Sequence, residues 1–215
     1  MANWLNETFY NIDYAWAKFF HILYTHCGKP LTYVMDFISV LGKSGIVLIL
    51  ISLIFCIFPK TRRAGVCAII AIAISSIISG LILKPLVARA RPYTHEELDY
   101  YNWWLNVGAH TENSFSFPSG HTTATMAFAF ALFSNSDNKK IGLLYLVFPI
   151  FMMFSRTYLM VHYFSDCLFG LLVGTIGAVI AYYITYLLFV KTKGKFNNFI
   201  NNFELKDLFK KKSNN

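Results

Sequence analysis

Residues 155–166 place an arginine, a histidine and an aspartate between two apolar segments of the chain. His162 and Asp166 are four residues apart, so in a continuous helix they would share one face. The carboxylate would then accept a hydrogen bond from one ring nitrogen and leave the other nitrogen free as a nucleophile or base. Because this spacing also occurs in ordinary helices, the pair predicts chemistry only if other polar clusters accompany it.

A second cluster precedes this one in the chain and contains Lys84 and Arg91. These two cations are seven residues apart, close to two helical turns, so they are expected to face one cavity. Pro92 is expected to end the helix. Alternatively, such cations simply flank a membrane helix and extend toward the interface, a role that suits Arg89 better than a place in the site.

A third cluster, residues 117–121, reads Phe-Pro-Ser-Gly-His and opens another apolar segment. Proline suits a first helical turn, and the free amides at a helix N-terminus bind anions. Gly120 lets backbone approach a ligand closely, and Ser119 offers a hydroxyl. The cluster therefore predicts an anion site in which His121 can supply a proton.

Together the clusters bring three cations, Lys84, Arg91 and Arg156, to one membrane face. Such a set suits a phosphate ester, whose charge is about −1.5 to −2 at neutral pH. At an effective dielectric near 20, each cation about 4 Å away contributes roughly 4 kcal/mol of gross attraction before desolvation. Two histidines and an aspartate suggest zinc instead, but the cations would repel it. We therefore expect neither a metal ion nor another cofactor.

The remaining chemistry is covalent catalysis by histidine. His162 attacks phosphorus while Asp166 holds its tautomer and stabilises the imidazolium. His121 protonates the departing oxygen, and water then hydrolyses the phosphohistidine with His121 acting in reverse.

The clusters resemble the three signature motifs of the type 2 phosphatidic acid phosphatase superfamily. The matching patterns are Lys-x6-Arg-Pro at 84–92, Pro-Ser-Gly-His at 118–121 and Ser-Arg-x5-His-x3-Asp at 155–166. The resemblance implies a metal-independent lipid phosphate phosphatase of the membrane, without a cofactor. It implies that His162 is the nucleophile, Asp166 its partner and His121 the general acid. The residues implied to surround the phosphoryl group are Lys84, Arg91, Ser119, Gly120 and Arg156.

The elements that position these residues are expected to be membrane helices. With 56% hydrophobic and 14% charged residues, the chain is too apolar for an ordinary soluble protein. We predict one all-α domain, a polytopic transmembrane helix bundle of five or six spans, over residues 1–190. It comprises interfacial amphipathic helices at 1–43 and a five-span core at 44–190. The predicted spans are residues 46–58 with an earlier start, 64–83, 119–133, 141–154 and 167–190.

The distribution of basic residues predicts the orientation in the membrane. Twelve basic residues lie on one side, among them Lys60, Arg62, Arg63, Lys139, Lys140 and seven lysines of the tail. The positive-inside rule places them in the cytoplasm and the polar clusters on the exoplasmic side. We expect the membrane to be the plasma membrane. The tail, residues 191–215, also carries four phenylalanines, so we expect it to lie against anionic lipid rather than to bind nucleic acid. A merely solvated tail is the alternative.

The identity of the substrate is left open by these patterns. Phosphatidic acid, phosphatidylglycerol phosphate and polyprenyl diphosphates present the same phosphoryl group. The alternatives are a phosphatase or phosphotransferase for a non-lipid phosphate, and a non-catalytic protein that binds or transports lipid phosphates. The aromatic loop at 93–117 suggests an interface belt, with a lid or headgroup contact as the alternative. The sequence makes no prediction of oligomeric state.

Overall fold

The chain forms a bundle of α-helices over residues 1–192, the part that this computed structural model describes. The helices are α1 (Ala2–Gly42), α2 (Ile46–Ile57), α3 (Arg62–Ser76), α4 (Lys84–Val87), α5 (Asp99–Asn106), α6 (Gly120–Asn135), α7 (Lys139–Gly142), α8 (Val147–Tyr158) and α9 (Phe164–Tyr186). None of the described residues lies in a strand, so the predicted all-α fold is confirmed there. Residues 193–215, most of the predicted basic tail, lie outside the described part.

Helices occupy all five predicted span positions. Within residues 1–192, three segments are long and apolar enough to cross a membrane, namely Arg62–Thr94, Lys139–Tyr158 and Phe164–Lys191. A fourth results if α1 and α2, which meet at a bend of 55°, count as one span. The predicted third span corresponds to α6, whose 16 residues fall just below the usual length of a span.

The N-terminal region is one long helix with a sharp bend. Gly28 has a φ of 59°, in the left-handed region that favours glycine, and Pro30 follows it, so α1 changes direction there. Residues Ala17, Phe20 and Met35 of α1 are buried in a cluster that also includes side chains of α5 and the end of α8. The region predicted to be interfacial therefore packs firmly against the bundle.

Small residues allow α6 and α9 to approach each other at their N-terminal ends. A Cβ atom added at Gly170 would lie 2.9 Å from the carbonyl oxygen of Ser119, and one at Gly174 would lie 2.5 Å from that of Thr123. Such close contacts are typical of glycines spaced four apart in packed membrane helices. The backbone N–H of Ser119 donates to the carbonyl of Asp166 at 3.0 Å. This packing brings Ser119 of one polar cluster beside Asp166 of another.

The two ends of the bundle carry different residues. α3 runs antiparallel to α9. Near the middle, a Cβ atom added at Gly177 would meet Ser75 Oγ at 2.0 Å. At one end the guanidinium of Arg63 lies 4.9 Å from the ring centre of Tyr182. The three polar clusters gather at the opposite end, where α3 continues through a π-helical turn, Ile77–Leu83, into α4.

Candidate active site

The eight predicted site residues are brought together at this end of the bundle. Direct contacts join the clusters: Arg91 Nη1 donates to the carbonyl of Val161 at 2.6 Å and lies 3.4 Å from His162 Nε2. Lys84, Arg91 and Arg156 all lie close enough to His121 for their charges to act on it. One region of the molecule therefore contains every predicted cation and both predicted histidines.

Lys84 and Arg91 converge although the helix between them stops. Ala88 has a φ of 51° and ends α4, and Arg91 is extended, as expected for the residue before Pro92. The prediction of two continuous helical turns is therefore wrong. Even so, Lys84 Nζ and Arg91 Nε lie 2.8 Å from the hydroxyl and the carbonyl oxygen of Ser114, respectively.

Arg156 reaches the site from the last turn of α8, and its side chain is almost fully buried. Its guanidinium donates to the hydroxyl of Ser39 in α1 and to the carboxylate of Glu112. The same carboxylate lies 4.0 Å from Arg91 Nη2. Glu112, a residue of the aromatic loop, thus faces two cations predicted to bind a phosphoryl group.

The start of α6 presents open space to these cations. Ser119 is fully buried, and its Oγ accepts a hydrogen bond from Thr122 Oγ1 at 3.1 Å. A Cβ atom added at Gly120 would meet no described protein atom within 4 Å. His121 and Arg156 line the same cavity, which has a volume of about 550 Å³. The predicted proton donor and a predicted phosphate ligand therefore share one cavity.

His162 lies in the turn between α8 and α9 and not in a helix. Met160, with a φ of 55°, turns the chain there, so the prediction of one helical face for His162 and Asp166 is wrong. The ring Nδ1 lies 3.7 Å from Asp166 Oδ2, which is beyond hydrogen-bond distance. The imidazole nevertheless turns Nδ1 toward this carboxylate and Nε2 toward Arg91.

Ser116, in the loop before α6, fills the gap between the imidazole and the carboxylate. Its buried Oγ donates to Asp166 Oδ2 at 2.5 Å and lies 3.4 Å from His162 Nδ1. Its backbone N–H donates to the carbonyl of Arg89 at 2.9 Å. This serine was not among the predicted site residues, because the path of the loop, rather than any spacing, brings it to the histidine.

Arg89 is buried as well, with only 1% of its side chain exposed. Nη1 donates to Asp166 Oδ1 at 2.6 Å, and Nη2 donates to Asp13 Oδ2 at 2.9 Å. Two buried carboxylates thus compensate for the buried guanidinium. The interpretation of Arg89 as a flanking cation that reaches the interface is wrong.

One part of the aromatic loop packs in the hydrophobic core, and another part lines the site. Tyr100 and Trp103 of α5 are buried against α1, whereas an interface belt would leave them at the surface. Farther along, Glu112 and Asn113 line both the 550 Å³ cavity and a neighbouring cavity of about 670 Å³. The second cavity contains Lys84 and Arg91, so the loop separates the cations into two groups.

The surroundings of His162 favour a neutral ring. Burial, together with the charges of Arg91 and Arg156, lowers the pKa of His162 well below its usual value. At neutral pH the imidazole is therefore uncharged, and one of its two nitrogens has a free lone pair. Among residues 1–192, no three His, Cys, Asp or Glu side chains gather in an arrangement that could hold a metal ion. The arrangement suits an anionic ligand that meets a neutral nucleophile.

The chain matches a known family and is similar to a curated relative. The model of the PAP2 superfamily matches residues 64–189, more than half of the chain and all eight predicted site residues. The undecaprenyl-diphosphatase of Sulfolobus acidocaldarius is 28% identical over 141 residues. That match spans 66% of this chain and 64% of the relative, slightly less than two thirds of its length.

Two solved structures share the fold. The crystal structure of LpxE from Aquifex aeolicus aligns with a TM-score of 0.56 and 21% identity, covering 76% of this chain and 92% of that one. The PAP2-type phosphatidylglycerolphosphate phosphatase from Bacillus subtilis aligns with a TM-score of 0.63 and 23% identity, covering 82% and 86%. At these identities the likeness concerns the fold.

Proposed function

The chain belongs to the PAP2 superfamily, and from this membership we propose that it hydrolyses a lipid phosphate or diphosphate through a phosphohistidine intermediate, without a metal ion, at the exoplasmic membrane face. One observation carries the proposal. His162 turns Nε2 toward Arg91, at 3.4 Å from Nη1, while its other nitrogen faces Asp166. A neutral imidazole in that orientation can attack an anion that the neighbouring cations bind.

In the first step the phosphoryl oxygens bind Lys84, Arg91 and Arg156. The lone pair of His162 Nε2 forms a bond to phosphorus while the bond from phosphorus to the leaving oxygen breaks. His121 gives its proton to that oxygen. Fixed donors aimed at the developing charge contribute strongly, since removing one such donor typically slows a reaction by about 10²–10³.

In the second step water attacks the phosphorus of phosphohistidine and His121 takes the proton of that water. The bond between phosphorus and Nε2 breaks, and inorganic phosphate leaves. The ring of His162 carries positive charge while it is phosphorylated, and Asp166 stabilises that charge from the Nδ1 side. At the end of the cycle His121 again carries its proton, and His162 Nε2 again has a free lone pair.

The lining of the cavity of about 670 Å³ supports a lipid as substrate. Besides Lys84 and Arg91, its lining includes the apolar side chains of Leu81 and Phe115, both exposed at the surface of the bundle. A phosphate bound by the cations would therefore have an apolar surface beside it for a hydrocarbon chain. One relative is named for undecaprenyl diphosphate and another for phosphatidylglycerol phosphate, so these two lipid classes are candidates. Phosphatidic acid presents the same phosphoryl group and is the third candidate.

Phosphate release from detergent-solubilised protein tests the proposal. We expect hydrolysis of at least one lipid of a panel containing these three classes, in the presence of EDTA, and its loss in His162→Ala. His26→Ala, which removes an exposed histidine of α1, is the matched control and should keep full activity. Activity that requires added Mg²⁺, or that survives His162→Ala, would contradict the mechanism.

The orientation in the membrane has its own test. Asn102 is exposed in α5 at the site end, and Asp137 is exposed at the opposite end. In a Cys27→Ser background, which removes an exposed native thiol, an impermeant thiol reagent should label Asn102→Cys in intact cells. Asp137→Cys should react only after lysis. The reverse pattern would place the site in the cytoplasm.

A further inference from the structure

We propose that Ser116 is a positioning residue, whose hydroxyl links Asp166 to His162 and fixes the proton on Nδ1. The inference rests on the proposed function, in which His162 Nε2 is the nucleophile. A nucleophilic nitrogen needs a free lone pair, so the other ring nitrogen must hold the proton. The role of Ser116 is to make that tautomer the stable one.

The distances favour a bridged contact over a direct one. His162 Nδ1 and Asp166 Oδ2 are 3.7 Å apart, too far for a hydrogen bond, whereas Ser116 Oγ lies 2.5 Å from the carboxylate and 3.4 Å from Nδ1. The longer contact lies at the outer limit for a hydrogen bond. Contacts of this kind are often long without substrate and shorten in the complex. The backbone N–H of Ser116 donates to the Arg89 carbonyl at 2.9 Å and anchors the loop.

The partners of Asp166 fix the direction of this bridge. Oδ1 accepts a bond from Arg89 Nη1 at 2.6 Å, and Oδ2 accepts one from the backbone N–H of Tyr163 at 3.0 Å. A carboxylate that accepts these bonds is an acceptor for the serine as well, so the hydroxyl donates to it. The lone pairs of Ser116 Oγ then face His162, and Nδ1–H donates to them.

The opposite side of the ring favours the same tautomer. On this side of the ring, His162 Nε2 lies 3.4 Å from Arg91 Nη1. A guanidinium only donates hydrogen bonds and does not lose its proton in proteins. A lone pair on Nε2 is therefore favoured on this side, but a contact of 3.4 Å is too long to fix the tautomer by itself. Donors on the Nε2 side and an acceptor on the Nδ1 side together assign the proton to Nδ1.

Steady-state kinetics of Ser116→Ala test the role. We expect kcat to fall by about 100-fold, because a catalytic histidine without its orienting partner samples the wrong tautomer. The KM and the inhibition constant of inorganic phosphate should stay within about twofold of wild type, since the cations are untouched. Ser52→Ala is the matched control: Ser52 is also fully buried, but its hydroxyl donates to the carbonyl of Leu48 within α2.

Nitrogen-15 NMR of labelled histidine provides a readout that does not depend on activity. In wild type, at neutral pH, His162 should show a protonated Nδ1 and an unprotonated Nε2, with signals assigned by their loss in His162→Ala. Ser116→Ala should show averaged shifts from two tautomers. Ser116→Thr keeps the hydroxyl and should restore both the single tautomer and most of kcat if it folds.

These measurements separate the inference from the proposed function. A folded Ser116→Ala protein with a kcat near wild type, or with an unchanged single tautomer, would overturn the role of the serine. A parallel loss of kcat, phosphate affinity and melting temperature would show that Ser116 only supports the fold. If wild type hydrolyses none of the lipids, the proposed function fails, and NMR alone decides whether the bridge exists.

Discussion

Arg89 and Arg91 are two residues apart and both buried, yet their environments are opposite. Arg89 binds Asp13 and Asp166, so two negative charges surround its guanidinium. Arg91 is held mainly by neutral oxygens, the carbonyls of Ser114 and Val161, and its nearest carboxylate oxygen is 4.0 Å away. The two arginines lie on opposite sides of the pair of residues proposed to carry the reaction.

The difference shows how a buried cation is assigned to structure or to ligand. A guanidinium that faces two carboxylates has its charge compensated and attracts little further anion. A guanidinium held by carbonyls keeps its positive charge while its N–H groups are ordered. Arg89 therefore stabilises the carboxylate of Asp166, and Arg91 remains available for a phosphoryl group.

The comparison predicts that Arg89→Met destabilises the fold most. The change leaves Asp13 and Asp166 buried without their common partner, and breaking a buried pair in this way costs about 3–5 kcal/mol. Thermal unfolding in detergent should show a clearly lower melting temperature, together with loss of activity. Arg91→Met is the matched control and should melt close to wild type. Equal melting temperatures for the two variants would remove the distinction.

Arg91→Met should instead act on catalysis. Loss of a fixed donor to the phosphoryl group should lower kcat/KM by about 10²–10³, with an intact fold. Arg91→Lys retains the charge without the planar fork and should recover only part of the rate. Phosphate release at subsaturating lipid measures both effects. Near-wild-type kcat/KM in a folded Arg91→Met protein would exclude Arg91 as a phosphate ligand.

The contrast between these arginines also explains what the sequence could predict. Residue types and spacing within one segment identified Arg91, and long apolar runs located the helices of the core. The two carboxylate partners of Arg89, Asp13 and Asp166, lie far from it in the chain, so only the tertiary fold shows these pairs. Ser116 and Glu112 were missed for the same reason, because an irregular loop has no periodicity from which its contacts follow.

Asp13→Asn should have an intermediate effect. Asp13 accepts bonds from Arg89 Nη2 and from the backbone N–H and the hydroxyl of Ser165. An amide keeps the shape but loses the charge, so we expect a loss of about 1–3 kcal/mol of stability. The rate should fall less than tenfold, because Asp166 still binds Arg89. Asp137→Asn, at an exposed position, is the control. A loss of rate as large as that of Asp166→Asn would show that α1 acts directly in catalysis.

The smallest predicted effect concerns Glu112, the carboxylate near the cations on the Arg91 side. It accepts a bond from Arg156, and its side chain is 29% exposed, so it can leave without disrupting the core. A phosphoryl group that binds both arginines must displace it. An internal competitor of this kind lowers the apparent affinity of every anion that uses the site.

Glu112→Gln should therefore bind phosphate more tightly than wild type. A hydrogen bond to a charged group contributes about 1.5–3 kcal/mol, so losing the negative charge should lower the inhibition constant of inorganic phosphate by about tenfold. The KM should fall in parallel. Glu97→Gln is the matched control, since Glu97 is 72% exposed and pairs with His95 at the surface. If Glu112→Gln instead binds phosphate more weakly, the carboxylate of Glu112 orders Arg156 for the ligand. Arg156 would then depend on a carboxylate for its position, as Arg89 does.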